Sequence, residues 1–171
     1  GQTCHAYCTF CFRWAQFVGL DDMKFANKDV DQLAGYLAEH PEITDVLFTG
    51  GDPMVMKSKI FARYIDRILE DPKLAHIQTI RIGTKSVAYW PQRYVTDADA
   101  GERLDVFRRI IASGRTVAIM GHYSHPVELS TPIAQEAVRR IRETGANIRM
   151  QSPLIRHVND NPNTWASMWK R

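Results

Sequence analysis

The chain has 171 residues, 44% hydrophobic and 24% charged, with 22 Lys and Arg against 19 Asp and Glu for a formal charge of +3. These proportions belong to a folded globular domain and exclude wholesale disorder; the interspersed charge excludes a dedicated nucleic-acid binder. No apolar run approaches the roughly 20 residues that cross a bilayer, and the N-terminus carries no signal-peptide pattern, so one soluble, cytoplasmic domain over 1–171 is expected, with no membrane partner.

Two features stand out at once. The chain opens Gly1-Gln2-Thr3 without an initiator Met and closes inside an apparently helical stretch, Trp165 to Arg171, as a piece of something longer would. Its only three cysteines all fall between Cys4 and Cys11. An odd number of thiols so clustered is no disulfide framework, and it points to a reducing compartment.

In chain order, Asn27 is placed to cap a helix over 28–40, with Val30, Leu33, Tyr36 and Leu37 on its apolar face and Pro41 ending it. The apolar run Asp45-Val46-Leu47-Phe48-Thr49 stops at Gly50-Gly51, as a buried strand entering a loop does. A helix over 57–70 follows, striped by Ile60, Phe61, Tyr64, Ile65, Ile68 and Leu69. Gln78 to Ile82 is the next strand. Thr96 caps a helix with core face Leu104, Phe107, Ile110 and Ile111, stopped by Gly114. Thr116 to Met120 is a third strand, Ser130 or Thr131 with Pro132 opens a helix that Gly145 closes, and Asn147 to Gln151 is a fourth strand. Asn161-Pro162 starts one more helix.

The strand positions Val46, Ile80, Val117 and Ile148 lie 34, 37 and 31 residues apart, the length of a parallel β-loop-α unit. Each strand reads as an apolar run, the mark of parallel strands covered on both faces. The fold class is therefore α/β, either an open doubly wound sheet or part of a (β/α) barrel. Polar and glycine residues gather at the strand C-terminal ends: Thr49 to Asp52, Gly83 to Lys85, His122 to His125, Gln151-Ser152. Barrels build active sites on that face, which favours the barrel.

Cys4, Cys8 and Cys11 have the spacing C-x3-C-x2-C, short enough for all three thiols to converge on one centre. Thiolates select zinc or iron–sulfur clusters over hard cations. A structural zinc would want a fourth ligand, which His5 or a distant histidine could supply, making the chain a zinc-binding interaction module. A four-iron cluster on three thiolates instead leaves one iron open for another ligand, which suits catalysis. Gly50-Gly51-Asp52 directly after a strand permits positive φ and close backbone approach, and its carbonyls or carboxylate can hold an ammonium group. The same residues also make an ordinary strand-to-helix turn capped by Asp52. His122, His125 and Glu128 are spaced as metal ligands can be, though lining of a barrel mouth and loop hydrogen bonding account for them more simply. Trp14, Trp90, Trp165 and Trp169, with no basic stripe beside them, read as packing residues.

The cysteine spacing, with Phe10 just before the last cysteine, resembles the radical S-adenosylmethionine superfamily, and Gly50-Gly51-Asp52 matches its Gly-Gly-acid motif in type and order. Further segments resemble the lysine 2,3-aminomutase family along nearly the whole chain: Cys11-Phe12-Arg13, Thr49 to Pro53, Ile80 to Thr84, Pro91-Gln92-Arg93, His125-Pro126-x-Glu128-Leu129, and Gln151 to Arg156 with Val158-Asn159-Asp160. The resemblance implies strands 2 to 5 of a partial (β/α)6 barrel, with the first strand and the C-terminal part missing. It implies that Cys4, Cys8 and Cys11 ligate a [4Fe-4S] cluster, that Phe10, Gly50, Gly51, Asp52, Gln151 and Ser152 contact S-adenosylmethionine, and that Arg13 binds an amino-acid carboxylate. The chemistry implied is hydrogen abstraction by a 5′-deoxyadenosyl radical and 1,2-migration of an amino group on a small-molecule amino acid. Pyridoxal phosphate carries the migrating nitrogen in the family; its lysine matches no segment before Arg171. An electron donor such as flavodoxin or ferredoxin is implied as a partner, and a homo-oligomer is compatible with the resemblance. The chain departs from the family after Arg13, where Trp14 to Gly19 replace a basic residue and a short glycine loop, so the substrate pocket is expected to differ. A relative with another substrate, such as a protein-bound lysyl group, carries the same motifs.

Overall fold

The computed structural model describes residues 3–16 and 29–170. Asn27 and Lys28, expected to open the first helix, and Phe17 to Gly19 lie outside the described residues. The helix there is α1, Val30–Glu39, and its cap is Asp29, whose carboxylate accepts from the backbone N–H groups of Asp31 and Gln32. Ala34 and Leu37 face inward, whereas Tyr36 is 54% exposed and stacks on His40.

Four parallel strands follow, β1 Asp45–Phe48, β2 Thr79–Thr84, β3 Thr116–His122 and β4 Asn147–Gln151, in the order β1-β2-β3-β4. Val46 pairs with Ile80 and Ile80 with Val117, so the positions picked out by spacing form one row across three strands; Ile148 pairs with Ile119 instead. A doubly wound sheet reverses its strand order at a switch point, and none occurs here. Sequential order with right-handed crossovers puts all the helices on one face. That arrangement is compatible with an arc of a TIM-like barrel.

The helices are α2 Ser58–Glu70, α3 Ser86–Tyr89, α4 Gln92–Val95, α5 Ala100–Ala112, α6 Pro132–Glu143 and α7 Pro162–Trp169. Phe61, Ile65 and Ile68 of α2 and Leu104, Phe107 and Ile110 of α5 join Ile80, Ile82, Val117 and Ile119 in the core; Ile60 is 46% exposed, so the α2 stripe is narrower than expected. Thr96 does not cap α5. It ends α4, donating its N–H to Gln92 O, and Asp99 precedes α5.

The strands are also less uniformly apolar than expected. β2 alternates buried and half-buried residues, and β4 alternates exposed Asn147, Arg149 and Gln151 with half-buried Ile148 and Met150. With helices on one face only, the opposite face need not be apolar. There Arg81 reaches Asp45 across β1 and β2, Nε to Oδ1 at 2.7 Å, and Leu47 is 43% exposed. Among the described residues no helix is long and apolar enough to cross a membrane.

A candidate site at the strand ends

The C-terminal ends of all four strands open on one pocket of about 460 Å³. Cys4, Cys8, Phe10, Cys11 and Arg13 line it from the N-terminal segment. Thr49 to Asp52 line it after β1, Gly83 to Lys85 at the end of β2, His122 at the end of β3 and Gln151 at the end of β4. Ser152 is not in the lining; its Oγ is buried with no hydrogen-bond partner among the described residues.

The cysteine segment docks on the loop after β1. Asp52 N donates to Thr3 O at 2.9 Å, and a Cβ placed on Gly51 would stand 2.1 Å from that same oxygen. A side chain at Gly51 would therefore expel the segment, which is the physical need for glycine there. Gly50 takes φ 133, a conformation that other residues adopt only with strain. The capping role read from the sequence for Asp52 is present. It caps the 3-10 turn Pro53–Val55 by accepting from Met54 N at 2.9 Å, and it borders the pocket. Its carboxylate is 3% exposed and also accepts from Thr84 Oγ1 at 2.7 and 2.8 Å, Lys85 N at 2.8 Å and His5 Nε2 at 2.9 Å. His5, the nearest candidate for a fourth zinc ligand, thus uses its Nε2 for this carboxylate. From Thr84 the hydrogen bonds continue to Ser86 and on to Tyr94 OH, where burial holds the phenol well above its ordinary pKa.

Cys11 N donates to Cys8 O at 3.0 Å, so the second and third cysteines share a tight turn. The Cys4 thiol lies against its own turn, 3.3 Å from Ala6 O. Burial pushes the Cys4 and Cys8 thiols up; at Cys4 the Asp52 charge adds to this, and at Cys8 the Lys85 ammonium opposes it. Thiols raised in this way ionise when a cation supplies compensating charge, so metal binding here releases protons. Among the described residues no three His, Cys, Asp or Glu side chains close on one point as ligands of a single ion. Cys4, Cys8 and Cys11 nonetheless all line the one pocket.

Arg13 has no carboxylate partner among the described residues, and its guanidinium carbon lies 5.7 Å from the Phe12 ring centroid. Phe10 tilts against His122 with ring centroids 5.6 Å apart. His122 Nε2 is buried without a partner among the described residues, and burial together with the Lys85 charge lowers its pKa to about 4. His125 does not join it, since its Nδ1 accepts from Val127 N. Glu128 is engaged by Ser124 N at 2.8 Å and by Lys85 Nζ at 3.3 Å. The trio therefore divides between pocket lining and loop hydrogen bonding.

Lys85, which sequence reasoning left without a role, is 5% exposed and lies over the Tyr89 ring at 4.5 Å. A buried lysine gives no periodic signal; the polar strand end Gly83 to Lys85 was its only trace. The tryptophans split as well. Trp165 donates to Asn159 O, and Trp90 carries Arg93 at 4.9 Å, whereas Trp14 is 58% exposed and Trp169, 67% exposed, packs edge-on against Trp165 with ring centroids 5.8 Å apart.

No protein-family model matches the chain. It is 34% identical over 94% of its length to the "Putative L-lysine 2,3-aminomutase" of Aquifex aeolicus, covering 41% of that protein. It is 27% identical over 92% of its length to the L-lysine 2,3-aminomutases of Fusobacterium nucleatum and Clostridium subterminale and to the glutamate 2,3-aminomutase of Clostridioides difficile, covering 34% of each. The chain thus spans between a third and about two-fifths of the length of these relatives.

Proposed function

Because the chain belongs to the lysine 2,3-aminomutase family, we propose that its strand-end pocket is the cofactor site of a radical S-adenosylmethionine isomerase that moves an amino group between adjacent carbons of an amino acid. One observation carries the reading: the three thiols, the Gly50-Gly51 loop and Arg13 line the same pocket at the strand ends.

In this proposal Cys4, Cys8 and Cys11 hold a [4Fe-4S] cluster. The carbonyls of Gly50 and Gly51, with Phe10 and Gln151, receive S-adenosylmethionine, and Asp52 shapes the loop they stand on. When bound, the two groups supply a one-electron cleavage and a carbon-centred radical able to abstract hydrogen. The chain's own residues orient and enclose. Arg13, without a carboxylate partner among the described residues, offers a planar fork for a substrate carboxylate, which both lysine and glutamate carry. Phe10 and His122 together close one side of the pocket against water.

The wider assignments belong to the whole protein: strands β1 to β4 as strands 2 to 5 of a partial (β/α)6 barrel within one domain, pyridoxal phosphate as second cofactor, a flavodoxin or ferredoxin as electron donor, and a cytoplasmic location. The test is to reconstitute the full-length protein anaerobically, measure iron and sulfide, and reduce it with dithionite in the presence of S-adenosylmethionine. 5′-Deoxyadenosine is the expected product. Its absence from a preparation with verified cluster content would overturn the radical reading, and one zinc with no sulfide would replace it with an interaction module.

A further inference from the structure

An ionised carboxylate offers about four acceptor positions on its two oxygens. At Asp52 four protein groups supply hydrogens to them: Met54 N, Lys85 N, Thr84 Oγ1 and His5 Nε2. Three of these belong to the loop after β1 and the end of β2, the fixed body of the site. The fourth, His5, stands directly beside Cys4. As the carboxylate only accepts, His5 Nε2 carries the hydrogen between them.

We infer that Asp52 and His5 form a clasp that positions the cysteine segment, and that Asp52 acts through this clasp rather than as a ligand for the ammonium group of a bound cofactor. The consequence for cluster assembly rests on the radical S-adenosylmethionine reading; the clasp itself does not. His5 is bracketed by the rings of Tyr89 and Trp90, with centroids 6.4 and 6.0 Å away and both edge-on, so its imidazole is directed as well as bonded. The main chain makes a second attachment two residues earlier, where Asp52 N meets Thr3 O above the bare face of Gly51. Cys4 lies between these two attachments. Ala6 is the only buried residue of the described segment 3–16, so apolar packing contributes little to holding it.

The clasp is read in the metal-free, full-length protein by the rate at which iodoacetamide alkylates Cys4 relative to Cys11, resolved by peptide mass spectrometry. His5→Ala should raise the Cys4 rate roughly tenfold, the scale of one lost hydrogen bond to a charged group, while the melting temperature stays near that of the wild type. His5→Gln, which can set a side-chain N–H at the Nε2 position, should restore the slow rate. Asp52→Asn should also speed Cys4, with no further gain when combined with His5→Ala, because both changes remove one shared interaction. An unchanged Cys4 rate in His5→Ala would overturn the clasp. So would an Asp52→Asn variant that loses S-adenosylmethionine affinity while Cys4 stays protected. Iron and sulfide on the reconstituted wild type are a separate measurement, whose failure counts against the cluster reading alone.

Discussion

The loop that carries Gly50, Gly51 and Asp52 is held from two sides, and the two sides are built differently. Beneath it, Arg93 and Arg103 are 6% and 0% exposed and reach up to its carbonyls. Arg93 donates from Nε to Met54 O at 3.1 Å and from a terminal nitrogen to Met56 O at 2.9 Å; Arg103 donates to Met56 O at 2.8 Å. Asp99 ties both arginines to the start of α2, accepting from Ser58 N at 2.8 Å. Burial opposes ionisation of Asp99, but the Ser58 hydrogen bonds and the Arg93 charge outweigh it and hold its carboxyl below the ordinary range. Above the loop, the hydrogen bonds that hold the cysteine segment to it among the described residues are one backbone bond and one imidazole. The floor is over-determined and the roof is lightly tethered. The proposed admission of a cluster and then its ligands would gain from that asymmetry, since the elements that move are drawn from the low-stability end.

Substitutions should therefore fall into two kinds, and the largest effect on folding belongs to the floor. Arg103→Ala removes a fully buried guanidinium, its bond to Met56 O and one of the partners of Asp99. We expect a loss of about 3–5 kcal/mol in denaturant unfolding of the full-length protein. A loss under about 1 kcal/mol would show that the floor is no firmer than the roof. Gly51→Ala is the corresponding change to the roof. The new methyl cannot share space with Thr3 O, so the cysteine segment must leave while the sheet and helices stay. Global stability should change by less than about 1 kcal/mol, but iron uptake on reconstitution should collapse. A variant that keeps its iron would show that the segment docks by some other route.

The division also marks what could be read from sequence. β1 to β3 were legible because Val46, Ile80 and Val117 recur at the length of one β-loop-α unit, and they do lie in one row. β4 fell two residues out of that row because it enters the sheet two residues further along its neighbour, Asn147 pairing with Ala118. α4 was missed because four residues are too few to show a helical period, and Thr96 at its end looked like the start of α5. The cysteines and the glycine pair announced themselves by spacing. Their supports did not. His5 and Asp52 are 47 residues apart, and Arg103 and Met54 are 49 apart, and nothing local distinguishes a buried arginine on α5 from a solvated one. Chemistry concentrated in a short motif is visible in one dimension, whereas the side chains that aim it are assembled by the fold.

The smallest expected effect tests whether the roof has a third point of attachment, at the end of β3. His122, on that strand, has a buried Nε2 without a partner among the described residues and a folded pKa of about 4, against about 6.5 for a free imidazole. Between those values the unfolded chain binds a proton that the folded chain refuses, so stability is full above about pH 6.5 and is lost as the pH falls towards 4. Comparing wild type with His122→Gln across that window isolates the group, and the difference should be on the order of 1–3 kcal/mol and level off below pH 4. Phe10, from the cysteine segment, covers the His122 ring. If that cover contributes to the burial, Phe10→Ala raises the His122 pKa in an NMR titration of its ring protons and narrows the window. An unmoved titration would leave the clasp and the Thr3 bond as the attachments of the roof, and would make the contrast with the floor sharper still.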